Sequence, residues 1–269
     1  MLPTVGIGTW MLDQARREQA VEALHAAIEF GFALIDTAEM YGNGTVEQIV
    51  GEAICGRREQ VFVVSKVLPA NASYDGTLRA CERSLQRMDC ARIDLYLLHW
   101  PGALPLSETM RALETLVERK LVRFIGVSNF TVPELQEAQG ALRHTRLACN
   151  QVLYNLTSRG IERNVLPYCL EQEIAVMAYS PLCHGEFPKP NTAGCLILEE
   201  VGQRYKRTPR QVALSFLLSH GVFAIPKSAN AAHVRENCGG AGWELRPHEY
   251  EIVDRAFPAP KHDVPLEML

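Results

Sequence analysis

Four side chains that can hold or move a proton are spaced through the first hundred residues: Asp36, Tyr41, Lys66 and His99. Asp36, Lys66 and His99 close or directly follow short apolar runs, and Tyr41 stands in the segment just after the first of them. Phe32–Asp36 leads into Thr37-Ala38-Glu39-Met40-Tyr41-Gly42, Val61–Lys66 ends in the lysine, and Ile93–Leu98 precedes His99-Trp100-Pro101. Together they suit the reduction of a carbonyl. A hydride added to the carbonyl carbon leaves negative charge on the oxygen, so a proton donor must lie within reach. A tyrosine phenol has an ordinary pKa of about 10, and a neighbouring Lys66 ammonium is expected to lower it. Asp36 would keep Lys66 charged and oriented, and His99 could hydrogen-bond the oxygen. Singly, each has a plain structural explanation: a solvated lysine, a packed tyrosine, a hydrogen-bonded histidine, a capping aspartate. Four such residues at neighbouring strand ends carry the argument that one alone would not.

The elements that must position them follow from the pattern of apolar runs. Candidate strands are Gly6–Thr9, Phe32–Asp36, Val61–Lys66, Ile93–Leu98, Phe124–Val127, Ala148–Gln151, Ala175–Tyr179 and Val222–Ile225. Several are continuously apolar, as parallel strands covered on both faces are. Between them lie helical patterns at Arg16–Phe30, Val46–Ala53, Thr77–Met88, Thr109–Arg119, Pro133–Ala138, Arg163–Gln172 and Pro209–Leu218. Ser73 and Thr208-Pro209 read as helix starts. Eight alternations predict an α/β fold, a (β/α)8 TIM barrel in one domain over residues 1–269, better than a doubly wound sheet. Such a barrel gathers the C-terminal strand ends on one rim, which places the four residues together. Pro181–Thr192 reads as a loop after the seventh strand.

Composition narrows the function class. The chain has 269 residues, of which 47% are hydrophobic, so a large core is available. A net charge of -4 with no run of Lys and Arg argues against nucleic acid. The longest apolar stretches are strand-sized, which predicts no membrane span. The opening MLPTVGIGTWMLDQ lacks a basic region followed by a long apolar one, so the expected location is the cytoplasm. The eight cysteines form no C-x-x-C pair and lack zinc spacing, so they read as small buried hydrophobes and no metal site is expected. Gly6-Ile7-Gly8 begins like a dinucleotide fingerprint, but Met11 stands where the third glycine is required.

The residues also carry a resemblance. Asp36-Thr37-Ala38-Glu39-Met40-Tyr41-Gly42, Ser65-Lys66, His99-Trp100-Pro101, Gly126-Val127-Ser128-Asn129-Phe130 and Ile225-Pro226-Lys227-Ser228 together resemble the aldo-keto reductase superfamily. The likeness runs from Gly6 to Asn237 and is stronger to bacterial diketogluconate and methylglyoxal reductases than to mammalian aldose reductases. It implies reduction of small aldehydes and ketones by hydride transfer from NADPH. Tyr41 would be the general acid, with Asp36 and Lys66 tuning it and His99 orienting the carbonyl and relaying a proton. The resemblance places Ser128, Asn129 and Gln151 on the nicotinamide carboxamide, Tyr179 against its ring, and Ser180 and Leu182 along the pyrophosphate. Ile225, Lys227 and Ser228 would follow, with the Lys227 charge and Ser228 hydroxyl suited to a 2′-phosphate, and Glu236 and Asn237 would meet the adenine.

Many members carry an arginine where this chain has His233, with Arg235 two residues on, so NADPH is expected with NADH use left open. Trp10 and Trp100, with Tyr41 and His99, would wall the substrate pocket. The brief loop after Pro101 and the short tail Pro258–Leu269 suggest an open site for small aldehydes, keto-sugars or dicarbonyls. The hairpin that opens most members is short or missing here. A monomer is expected. Two other readings stay open: a barrel lyase forming a Schiff base on Lys66, and a regulatory barrel that binds the cofactor with negligible turnover.

Overall fold

A computed structural model describes residues 3–269. Among them are eight strands: β1 (Ile7–Gly8), β2 (Leu34–Asp36), β3 (Phe62–Val67), β4 (Ile93–Leu98), β5 (Val122–Ser128), β6 (Leu147–Leu153), β7 (Ala175–Tyr179) and β8 (Phe223–Ile225). All pair in parallel in sequence order. The sheet closes on itself: Gly6 N–H donates to Ala224 O at 2.8 Å, Ala224 N–H to Thr4 O at 2.9 Å, and Gly8 N–H to Pro226 O at 3.1 Å. The predicted (β/α)8 barrel is therefore the fold. Among the described residues no strand precedes β1.

Side chains alternate across a strand, and here that alternation builds two packed layers. Leu34, Phe62, Val64, Leu95, Leu97, Cys149, Met177 and Ile225 fill the barrel interior. Residues of the other parity, such as Ile35, Val63 and Tyr96, pack outward with the helices. Asp36, Lys66 and Gln151 share the inward parity of Leu34, Val64 and Cys149, so each stands one step above the interior layer. His99 continues the same series beyond Leu97. The pleat thus delivers these polar groups to the top of the apolar plug.

Among the described residues ten α-helices cover the barrel: α1 (Arg17–Glu29), α2 (Thr45–Ile54), α3 (Tyr74–Met88), α4 (Leu106–Glu118), α5 (Val132–Ala141), α6 (Val165–Glu171), α7 (Ala193–Tyr205), α8 (Pro209–Leu218), α9 (Ala231–Cys238) and α10 (Pro247–Ala256). The predicted starts are used. Ser73 Oγ accepts from Gly76 N–H at 3.1 Å, which starts α3 three residues before the predicted Thr77. Thr208 and Gln211 form a reciprocal capping box at α8. Three helices were not predicted: α7, α9 and α10. The inward faces of the last two are narrow; α9 buries only Val234 and Asn237, and α10 only Glu249 and Val253, whereas α7 buries Cys195, Leu198, Val201 and Gly202. In α9 and α10 too few apolar residues recur to mark a helical period. On α4, Glu114 Oε1 accepts the N–H groups of Arg143, His144 and Thr145 at 2.8, 2.7 and 3.0 Å, pinning the loop before β6. None of the described helices is long and apolar enough to cross a membrane.

Candidate active site

The buried Lys66 ammonium organises the rim. Its Nζ donates to Asp36 Oδ2 at 2.8 Å, to Thr37 O at 2.8 Å and to Tyr41 Oη at 3.2 Å. Three protons have three acceptors, so the amine is fixed in direction as well as in charge. Asp36 uses its other oxygen to accept from Gln151 Nε2 at 2.7 Å. Tyr41 projects from a tight turn, Tyr41–Gly44, in which Gly42, Asn43 and Gly44 have φ of 54, 51 and 89°. His99 approaches the phenol edge-on, with ring centroids 5.9 Å apart, and lies against Trp100 at 4.7 Å. The four predicted residues are therefore one cluster.

Burial sets the protonation states. It acts to lower the pKa of Lys66, but Asp36 and Tyr41 outweigh it and hold the ammonium above its usual value. For Tyr41 burial is the largest influence and raises the phenol's pKa; the Lys66 charge opposes this without overcoming it. The expectation of a more acidic phenol is thus corrected for the resting site: depth outweighs the neighbouring cation. Burial, reinforced by the Lys66 charge, drops His99 to about 2. Its Nδ1 is buried without a hydrogen-bond partner. The imidazole is neutral at pH 7, which suits orienting a carbonyl and disfavours a relay through imidazolium.

Above the cluster opens a cavity of about 640 Å³. Trp10, Met40, Tyr41, His99 and Trp100 line one part, Ser128, Asn129, Gln151 and Tyr179 the next, and Ile225, Pro226 and Lys227 another. Lys66 lies behind Tyr41, outside the lining. The Aldo/keto reductase family model matches residues 4–257. Methylglyoxal reductase YeaE of Escherichia coli is 44% identical, covering all of this chain and 95% of that protein. Glyoxal reductase of Bacillus subtilis is 34% identical over 94% of this chain and 88% of its own length. A crystal structure of an aldo/keto reductase from Klebsiella pneumoniae in complex with NADP and acetate superposes with a TM-score of 0.92 at 40% identity, covering 100% of this chain and 96% of that one.

The chain belongs to the aldo/keto reductase family.

In this aldo/keto reductase the cavity offers what a dinucleotide's nicotinamide end requires. Ser128 and Asn129, at the end of β5, are tied together by Asn129 Nδ2 donating to Ser128 Oγ at 3.1 Å and to His99 O at 3.2 Å. Tyr179 Oη donates to Asn129 Oδ1 at 2.9 Å, leaving its half-buried ring facing the cavity. Amide and hydroxyl groups, an aromatic face and the exposed Lys227 ammonium fit a carboxamide, a flat ring and a phosphate in turn. Ser180 and Leu182 line the same cavity between them.

The residues expected at the 2′-phosphate and the adenine are arranged differently. Ser228 is buried in a turn, its Oγ accepting from Asn230 N–H at 3.0 Å. His233, Glu236 and Asn237 lie on α9, outside the cavity lining; His233 is exposed and Asn237 buried. Arg235 sits over the Phe30 ring at 5.0 Å, on the side of α1, and so does not stand in for the family arginine. Two residues along a helix turn a side chain through about 200°, so His233 and Arg235 cannot share a face.

The expectation of a site left open by a short tail is also corrected. Met268 and Leu269 line the cavity, and Leu269 N–H donates to Tyr179 Oη at 3.4 Å. The short tail returns to the rim and walls it. Sequence reasoning also passed over His184, whose ring stacks on Trp10 at 5.0 Å within the loop after β7. No periodic pattern in the sequence marks either contact.

Proposed function

We propose that this aldo/keto reductase reduces small aldehydes and ketones with NADPH, and that Tyr41 delivers the proton. One observation carries the reading: the Tyr41 hydroxyl stands 3.2 Å from an ammonium itself held 2.8 Å from a carboxylate, at the floor of the cavity. When bound, NADPH supplies the hydride. Tyr41, still protonated at neutral pH because burial raises its pKa, donates to the substrate oxygen. As the proton leaves, the phenolate forms beside Lys66, whose charge Asp36 maintains. His99, neutral, donates a hydrogen bond that orients the carbonyl. Ser128, Asn129 and Gln151 hold the carboxamide, Tyr179 supports the ring, Ser180, Leu182 and Ile225 follow the diphosphate, and Lys227 with Ser228 takes the 2′-phosphate.

His233, Glu236 and Asn237 would meet the adenine, with NADH a secondary cofactor because no arginine stands at position 233. Trp10 and Trp100 wall an apolar pocket, and the likeness to methylglyoxal and glyoxal reductases favours dicarbonyls as substrates alongside keto-sugars. The same reading treats 1–269 as one domain, monomeric and cytoplasmic. A Schiff-base role for Lys66 has little support, since its amine is fully buried, triply bonded and held as ammonium. Tyr41→Phe is the test. It should lower kcat by about a thousandfold, within the usual contribution of a general acid, while NADPH affinity stays within about twofold of wild type. Turnover retained in the variant would remove Tyr41 from the acid role, and negligible turnover by the wild type would favour the regulatory reading.

A further inference from the structure

We infer that Glu47 is a positioning residue for the proton transfer, a role that rests on the assignment of Tyr41 and Lys66 above. Glu47 lies on α2 and has no exposed surface. A carboxylate in such a place must find partners, and it finds one on each of two other elements. Its Oε1 accepts from Ser65 Oγ at 2.6 Å, and its Oε2 from Arg87 Nε at 2.6 Å. Ser65 is the residue of β3 immediately before Lys66, with its side chain on the outward face. Glu47 therefore grips the strand at the point from which the ammonium projects inward.

The second arm reaches the phenol. Arg87, on α3, packs beneath the turn that carries Tyr41. A Cβ on Gly44 would stand 2.5 Å from Arg87 Cδ and 2.6 Å from Nε. That turn has three consecutive residues in the left-handed region; Gly42 and Gly44 adopt it freely, and Asn43 is the one side chain held there. Asp13 presses on it at Gly42, where a Cβ would lie 2.9 Å from the Asp13 carboxyl carbon. Arg87 supports it at Gly44, and Glu47 holds Arg87. A single carboxylate thus joins the strand bearing Lys66 to the support of the turn bearing Tyr41. The separation it governs is the 3.2 Å between Lys66 Nζ and Tyr41 Oη. A misplacement of about 1 Å at reacting groups can cost on the order of a hundredfold in rate.

Removal of either arm should lower kcat with little change in binding. Glu47→Gln keeps an acceptor for Ser65 but loses the charge opposite Arg87. Ser65→Ala removes the strand arm alone and carries the test if Glu47→Gln does not fold. Each is expected to reduce kcat by about tenfold, with KM and NADPH affinity within about twofold of wild type. Ser65→Thr, which restores the hydroxyl, should recover kcat. Wild-type kcat in folded Glu47→Gln and Ser65→Ala would overturn the positioning role. So would a kcat loss matched by an equal loss of NADPH affinity, since that marks general loosening. Tyr41→Phe run alongside separates the two claims: activity in that variant defeats the acid assignment, whereas an inactive Tyr41→Phe beside unimpaired Glu47 and Ser65 variants defeats only this one.

Discussion

His99 should give the protein an acid-side weakness that one substitution can isolate. An unfolded histidine takes its proton near the usual 6.5, whereas burial and the Lys66 charge hold the folded one near 2. The folded-state pKa is depressed, so between those values the unfolded chain binds a proton that the folded chain refuses. The stabilisation is complete above 6.5 and declines as pH falls towards 2. Each pH unit inside that window is worth about 1.4 kcal/mol, so lowering pH to 5.0 should remove about 2 kcal/mol through this residue alone. Urea unfolding of wild type and His99→Gln at pH 7.5 and 5.0 gives the number directly. The other seven of the eight histidines are common to both proteins, so their contributions cancel in the double difference. Wild type should lose about 2 kcal/mol more than the variant between the two conditions. Equal losses would show that the folded imidazole protonates normally, and the neutral orienting role would fall with it.

Lys227→Ala should weaken NADPH binding by at least about tenfold, the scale of a lost charged hydrogen bond, and NADH binding by about twofold or less; fluorescence titration with both cofactors checks it, and parallel losses would take the lysine off the 2′-phosphate. Glu114→Gln should cost about 1–3 kcal/mol at pH 7, because one carboxylate oxygen serves three backbone N–H groups. Burial acts to raise the Glu114 pKa but the N–H groups of His144, Arg143 and Thr145 hold it below the usual 4.5, so the difference from the variant should narrow as pH falls through that range. Lys66→Met should reduce kcat by at least about a thousandfold with far less effect on NADPH affinity, measured by steady-state kinetics and cofactor titration; matched losses in both would make the lysine a structural rather than a catalytic group.

Much of this was legible in the residues, and the reason lies in how a parallel barrel is written. Strands covered on both faces are mostly apolar, so polar residues that close or follow such a run point to a C-terminal end. Asp36, Lys66 and His99 are such residues, and Ile93–Leu98 and Ala175–Tyr179 match the structure at both bounds. The illegible parts depend on distance in space. Ser65 and Arg87 lie 18 and 40 positions beyond Glu47 along the chain, and nothing in that spacing declares a shared carboxylate. The return of Met268 and Leu269 to the rim is a contact with Tyr179, 90 positions earlier, beyond any local pattern. The direction of the Tyr41 pKa needed the depth of the phenol, since a cation at hydrogen-bond distance lowers it only if burial costs less.

That last reversal bears on how the site would work. At rest the cluster holds one anion, Asp36, and one cation, Lys66, with Tyr41 and His99 neutral, so the buried region carries no net charge. A buried ion pair adds little stability by itself, and here its value lies in what it does when the charge moves. With the phenol protonated, Lys66 at 3.2 Å contributes only a weak hydrogen bond to a neutral oxygen. In the proposed reaction, proton transfer to the substrate would leave an ammonium and a phenolate at the same distance, an attraction of about 5 kcal/mol at an effective dielectric of 20. An interaction that strengthens only as the reaction proceeds accelerates it without tightening the resting complex. Raised pKa and assisted proton loss are therefore compatible: burial keeps the donor loaded, and the fixed ammonium lowers the cost of unloading it. The loss anticipated for Lys66→Met is the kinetic form of that difference, and it should appear in kcat because the resting state barely draws on it.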